Sequence, residues 1–203
     1  MKDLIEQGLA VSWDYPAYRQ HLTDLLEEGK TTGPNQSEFY LTIARLNQSR
    51  MKRLDKRTEL TEELLSAVGG LKKNYKLLAL TEGWCGDAAQ ILPVFNKLIE
   101  ANPQLELRLI LRDEHLGLMD LFLTDGGRSI PKILFLDPET FEVITTWGPR
   151  PVVAQKMVMD YKYMSEPKGD YETHQLELHS WYTKDKTLST QAELTELLNK
   201  LED

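Results

Sequence analysis

The sequence contains a single cysteine, Cys85, among its 203 residues. One thiol excludes an intrachain disulfide, a Cys-rich zinc site and a dithiol centre within the chain. Basic residues are also scarce relative to acidic ones, because 24 Lys and Arg stand against 32 Asp and Glu and give a net charge of −8. Binding through the phosphate backbone requires a basic face, so we expect no nucleic-acid partner.

Long apolar runs are absent as well. No run approaches the roughly 18 residues that a membrane-spanning helix needs, so no membrane partner is expected. Asp3 and Glu6 stand where a signal peptide would have basic and then apolar residues, which predicts a cytoplasmic protein. The four histidines have no metal-ligand spacing and there is no Gly-rich phosphate loop, so neither a metal nor a cofactor is expected.

The N-terminal third is predicted to be helical. Helical patterns occupy residues 13–28, the segment that runs from a capping-box pattern at Asn35 and Glu38 to Leu54, and the segment that ends at Gly69. The apolar faces of these helices are too large to leave in water. We therefore predict that residues 1–70 form a helical extension that packs on a domain comprising residues 71–203.

From residue 75 to about 164 the predicted order is strand, helix, strand, helix, strand, strand, helix. The strands are 75–80, 105–111, 132–136 and 142–146, the shorter helix is 116–123, and the last helix is 149–164. Strands that a helix separates are expected to pair in parallel, and the final hairpin adds an antiparallel edge. A capping pattern at Thr190 and Glu193 predicts the start of an amphipathic C-terminal helix. The fold class is thus α/β, a mixed sheet flanked by helices.

Four features at matching positions then identify a family. Trp84-Cys85-Gly86 lies at the first strand-to-helix junction, Pro93 lies in the helix that follows, Ile130-Pro131 begins the third strand, and Gly148 follows the last strand. Together they resemble the thioredoxin superfamily over residues 75 to about 164. The resemblance implies a thioredoxin-like fold, with Ile130-Pro131 as the family's cis-proline dipeptide and Cys85 at the active site.

The sequence departs from that family at the second thiol. The family's motif is Cys-x-x-Cys, whereas here it reads Cys85-Gly86-Asp87-Ala88. The second thiol normally resolves the mixed disulfide that the first one forms, and Ala88 cannot do so. Ala79 stands where thioredoxins usually bury an aspartate that is thought to help deprotonate the resolving thiol. A dithiol reductase is therefore not expected.

Cys85 is the candidate catalytic residue. A cysteine at a helix N-terminus faces unpaired N–H groups that favour the thiolate, whereas the nearby Asp87 carboxylate opposes it. A reactive thiol and an ordinary capped turn are both compatible with this pattern. The resemblance implies a set of substrate-binding residues around the thiol, namely Trp84, Gly86, Asp87, Ile130, Pro131 and Gly148.

Charged side chains are expected near the same edge of the sheet, at Arg112, His115, Arg128 and Arg150. They are either solvated surface groups or groups that act on the site. In the second case the arginines would lower the thiolate pKa or hold the carboxylates of a small thiol such as glutathione, and the histidine would shuttle protons.

Two functions follow from the resemblance. The first is a monothiol thiol–disulfide oxidoreductase, in which Cys85 attacks a mixed disulfide and a second small thiol releases it; its partners are protein or small-molecule thiols and disulfides. The second is a redox-inactive module that binds an extended peptide through the backbone of Ile130. A peroxide-sensing cysteine is a weaker third possibility. The reactivity of Cys85 separates the first two.

Overall fold

The computed structural model describes residues 1–165 and 169–202, and it opens with a run of helices. These are α1 (Lys2–Ala10), α2 (Tyr15–Glu27), α3 (Glu38–Arg57) and α4 (Glu62–Gly69). Strands and helices then alternate, as β1 (Tyr75–Thr81), α5 (Gly86–Ala101), β2 (Leu105–Leu111), α6 (Leu116–Met119), β3 (Lys132–Leu136), β4 (Val143–Trp147), α7 (Val152–Tyr163), α8 (Tyr171–Asp185) and α9 (Leu188–Glu202). A mixed α/β architecture with flanking helices is thereby confirmed.

The four strands form one sheet in the order β2-β1-β3-β4. β1 and β2 are parallel, β3 is antiparallel to β1, and β4 is antiparallel to β3. The expectation that β3 pairs in parallel was wrong. The connection 112–131 holds a 3-10 turn at Arg112–Glu114 and the four-residue α6, which ends at Met119 rather than at residue 123. A parallel return needs a crossover that spans the sheet, and this connection contains no such element.

The central strands are buried because helices cover the sheet. Leu77, Leu78, Ala79 and Leu80 of β1 have no exposed surface, and every residue of β3 is buried. Such continuous apolar runs are typical of strands that are covered on both faces. Each fully buried leucine contributes about 1.5–3 kcal/mol through loss of water contact.

The N-terminal helices contribute to the same hydrophobic core. Ile5 of α1, Tyr18 of α2, Met51 of α3 and Leu64 of α4 are buried in one cluster with the residues of β1. The predicted cap of α3 at Asn35 was misplaced. Ser37 is the N-cap, and the Asn35 side chain instead accepts a hydrogen bond from the Ser37 N–H at 3.1 Å, as in an Asx turn.

The C-terminal part differs most from the sequence-based expectation. Helix α8 was not predicted, and it begins at Asp170, whose carboxylate accepts the Thr173 N–H at 3.0 Å. Helix α9 begins before the predicted capping pattern, so Glu193 lies inside it. The Glu193 carboxylate instead accepts hydrogen bonds from the Trp147 indole at 3.1 Å and the Val152 N–H at 2.6 Å, which tie α9 to the start of α7.

In residues 1–165 and 169–202, no helix combines the length and the apolar character that spanning a membrane would require.

Candidate functional site

Cys85 lies between β1 and α5 and is the N-cap of that helix. Its Sγ accepts a hydrogen bond from the Ala88 N–H at 3.4 Å and donates one to the Ile130 carbonyl oxygen at 3.2 Å. The Ile130–Pro131 peptide bond is cis. Only 7% of Cys85 is exposed. Because a sulfur that donates must carry its proton, this geometry is that of a thiol rather than a thiolate.

The electrostatic environment also favours the thiol. Burial raises the pKa of Cys85 to about 12, and the negative charge of Asp87 acts in the same direction. The Ala88 N–H and the Arg150 guanidinium lower the thiol pKa, but their effect is smaller. The stabilisation expected at the helix N-terminus is therefore present and is outweighed by loss of solvation.

Asp87 belongs to a buried cluster that joins three parts of the fold. Arg150 donates to its Oδ2 from Nη2 at 2.6 Å and from Nε at 3.1 Å, and the Tyr182 hydroxyl donates to its Oδ1 at 2.6 Å. The Asp87 and Arg150 side chains are only 11% and 12% exposed. Burial, followed by the charge of Asp87, raises the Tyr182 pKa well above its ordinary value, so this hydroxyl keeps its proton. We call these three residues the Asp87 cluster.

Helices α3 and α8 meet over Gly86. A Cβ at this position would lie 2.9 Å from His179 Cε1 and 3.7 Å from Arg50 Nη1, so the glycine lets both side chains approach the backbone beside Cys85. Arg50 donates to the Asn47 Oδ1 at 2.9 Å. The Asn47 amide in turn donates to the Gly83 carbonyl at 3.0 Å, which fixes α3 against the turn before Cys85.

Trp84 is half-buried and packed on two sides. The Arg112 guanidinium lies over its ring, 4.9 Å from the centroid, and Tyr40 meets it edge-on at 5.4 Å. Gly33, in the loop before α3, is also close, because a Cβ there would lie 3.2 Å from the Trp84 Nε1. Tyr40 and the Gly33 loop, both from the N-terminal part of the chain, thus pack against Trp84.

Gly148 and Pro131 make a close backbone contact on the other side of the site. Gly148 has a φ of +105°, and a Cβ there would clash with the Pro131 carbonyl oxygen. Lys132 donates from its ammonium group to the Gly148 carbonyl at 3.3 Å. These contacts hold the loop that precedes α7 against the start of β3.

The other charged candidates have partners of their own. Arg128 is exposed and pairs with Asp120 at 2.6 and 2.8 Å. The Nδ1 of His115 lies 3.0 Å from the Leu111 carbonyl oxygen, and its ring faces Gly8 of α1. Of the four predicted charges, Arg150 pairs with Asp87 and also lowers the Cys85 pKa by its own charge, and Arg112 packs on Trp84.

Sequence reasoning missed four residues at the site, namely Asn47 and Arg50 of α3 and His179 and Tyr182 of α8. The i, i+3 spacing of the last two puts them on one helix face. Nothing in that spacing links them to Cys85, since Tyr182 reaches Asp87 across a separation of 95 residues. In the part of the chain that the structure describes, no three His, Cys, Asp or Glu side chains gather as a metal site.

Comparisons with known proteins agree with this architecture. A family model described as Thioredoxin matches residues 33–162. A crystal structure of a protein of unknown function from Pseudomonas aeruginosa is 17% identical, with a TM-score of 0.61 over 95% of both chains. A crystal structure of an HIV epitope-scaffold is 18% identical, with a TM-score of 0.63 over 97% of this chain and 96% of that one. At these identities the two structures show the fold alone, and no curated protein matches the chain.

Proposed function

The chain belongs to the thioredoxin family, and we propose that it uses this fold to bind an extended peptide without redox turnover. The observation that supports this most directly is the hydrogen bonding of Cys85, whose S–H donates to the Ile130 carbonyl. A thiol in this state joins the start of α5 to the loop before β3 and is not poised as a nucleophile.

The chemistry of Cys85 supports the same conclusion. Because burial raises the pKa of Cys85 to about 12, the thiol form predominates strongly at neutral pH. The thiolate is the form that attacks a disulfide, so the exchange rate falls with the thiolate fraction. Ala88 supplies no second thiol, and the chain has no other cysteine.

The backbone of Ile130 supports a binding role. Its carbonyl accepts the Cys85 S–H, and among the described residues its N–H makes no hydrogen bond. Backbone N–H groups need partners, and an added strand of a peptide supplies the carbonyl that would satisfy this one. The peptide-binding site is therefore proposed at Ile130, in the loop that precedes β3.

Alkylation of Cys85 tests the state of the thiol. Iodoacetamide reactivity of the folded protein, followed by mass spectrometry from pH 6 to 11, should give an apparent thiol pKa above 10. The same protein unfolded in urea is the control and should titrate near the free value of about 8.5. A folded-state pKa of 7 or below would contradict the proposal.

Peptide selection tests the binding role itself. A random peptide library displayed on phage is selected against the protein, and the peptides obtained should shift the Ile130 backbone amide in an NMR spectrum. Cys85→Ser is the matched variant, because the serine hydroxyl can still donate to the Ile130 carbonyl. Binding should survive this change, whereas an absolute requirement for the thiol would favour an enzyme.

The second candidate is the monothiol oxidoreductase, and one observation favours it. The Ala88 N–H and the Arg150 charge both lower the thiol pKa, and relief of burial would remove the largest contribution that opposes them. The Cys85 thiolate would then attack a glutathione mixed disulfide, release the protein thiolate and keep the glutathionyl group. A second glutathione thiolate would free Cys85 and leave as glutathione disulfide. A glutathione adduct formed on Cys85 at neutral pH would support this candidate.

A further inference from the structure

Arg50 brings a positive charge close to the start of α5. Arg50 is half-buried, and its hydrogen-bond partner is the neutral Asn47. Within residues 1–165 and 169–202 it makes no ion pair with an acid. Burial lowers the pKa of Arg50, and the neighbouring charge of Arg53 lowers it further. A partly desolvated arginine without a counter-ion is a binding element for an anion.

His179 presents a second donor at the same place. Its Nδ1 is buried without a hydrogen-bond partner, and its Cε1 and Nε2 face Gly86. Burial lowers the pKa of His179 to about 4, and Arg50 contributes in the same direction, so the ring is neutral at neutral pH. A neutral imidazole still carries one N–H that can donate to an anion.

The Asp87 charge raises the pKa of both Arg50 and His179, but its carboxylate hydrogen-bonds neither of them. Both oxygens of Asp87 are already engaged, one by Arg150 and the other by Tyr182. The N-terminus of α5 adds partial positive charge from its backbone N–H groups, in the same direction as Arg50. Three separate features therefore favour an anion beside Arg50 and His179.

From this arrangement we infer that Arg50 and His179 bind the carboxylate of an acidic residue in the peptide that docks at Ile130. The inference rests on the proposed peptide binding, because Gly86 adjoins Cys85, which itself contacts Ile130. The net charge of the chain is −8, so its overall field repels acidic peptides. A preference for Asp or Glu at one position of the ligand therefore requires a local site of this kind.

Parallel peptide selections test the specificity. They use the wild type, Arg50→Gln, Arg50→Lys and the control Arg45→Gln, which alters another α3 arginine that pairs with Glu38 at 2.9 Å. Wild type and Arg45→Gln should enrich Asp or Glu at one peptide position, Arg50→Lys should keep part of this preference, and Arg50→Gln should lose it.

Affinities of one selected peptide complete that test. Changing its acidic residue to the amide should weaken binding to the wild type about tenfold and leave binding to Arg50→Gln nearly unchanged. The same acidic preference in Arg50→Gln as in the wild type would overturn the inference.

A direct titration separates this inference from the proposed function. Acetate and, in a second arm, inorganic phosphate are added to the peptide-free protein at constant ionic strength, and the His179 ring and Gly86 amide are followed by NMR. Acetate should shift both signals in the wild type and in Arg45→Gln, and not in Arg50→Gln. Absence of an acetate response, or a response to phosphate alone, overturns the carboxylate site. A specific acetate response in a protein that selects no peptides supports the anion site and refutes peptide binding.

Discussion

Replacing Asp87 by asparagine should destabilise the protein and at the same time make Cys85 more reactive. The substitution removes the counter-ion of Arg150, whose side chain is only 12% exposed. Breaking a buried ion pair by removing one partner costs about 3–5 kcal/mol in the free energy of unfolding. The Tyr182 hydroxyl can still donate to the asparagine oxygen, so the lower end of that range is expected.

The effect on the thiol has the opposite sign. After burial, Asp87 is the largest influence that raises the Cys85 pKa, and Arg150 is one of those that lower it. Asp87→Asn removes the first charge and leaves the second uncompensated. The Cys85 pKa should therefore fall by about one unit, which corresponds to about tenfold faster alkylation at pH 8.

Two variants separate a direct charge effect from simple exposure through unfolding. Arg150→Gln breaks the same ion pair but removes the charge that lowers the thiol pKa, so its folded state should alkylate more slowly. Asp120→Asn removes the exposed partner of Arg128 and should change neither property. Urea unfolding measured by tryptophan fluorescence gives the stabilities, and mass spectrometry gives the alkylation rates. Equal acceleration in Asp87→Asn and Arg150→Gln would refute the electrostatic argument.

Two further predictions concern backbone contact and pH. Gly148→Ala should lower the free energy of unfolding in urea by about 3 kcal/mol or more, because its Cβ would meet the Pro131 carbonyl. The control Gly69→Ala has open space around it and should be neutral or slightly stabilising. Equal effects of the two substitutions would contradict this prediction. His179 has a folded pKa of about 4, below the ordinary 6.5, so the unfolded state takes up the proton first and stability falls as pH drops from about 6.5 to 4. His179→Gln should remove about 1–2 kcal/mol of that pH dependence, after allowance for the ring's partial exposure. The free energy of unfolding, measured in urea at each pH, should therefore change less between pH 6.5 and 4 than in the wild type, and an unchanged pH dependence would count against the prediction.

The elements that the sequence predicted well are those specified by local patterns. β2 was predicted from alternation of leucines with other residues, and the start of α5 was predicted from the motif at Cys85. Hydrophobic period and turn residues act over a few positions, so they can be read without knowledge of the fold. The direction of β3 was missed, because it depends on where the connection from β2 leads rather than on the residues of the strand itself.

Helix α8 was missed for a different reason. Its apolar residues do not form a regular stripe, and its buried positions include the polar residues His174 and Tyr182. These side chains are buried because of what they meet in the folded protein, including the Asp87 carboxylate. A polar residue that is buried by a long-range partner looks the same in the sequence as one on the surface.

The position of Cys85 and its chemical state therefore have different origins. The motif and the strand-to-helix junction put the thiol at a helix N-terminus, where backbone N–H groups favour its ionisation. Burial and the charge of Asp87 reverse that tendency. Part of the packing over Gly86 comes from His179 in α8, which lies outside the region matched by the family model. Because Ala88 stands in place of the resolving cysteine, the first turn of α5 contains no second thiol. The Asp87 carboxylate instead pairs with Arg150 and accepts the Tyr182 hydroxyl, which ties α8 to the start of α5. Burial at this position favours the protonated form of Cys85.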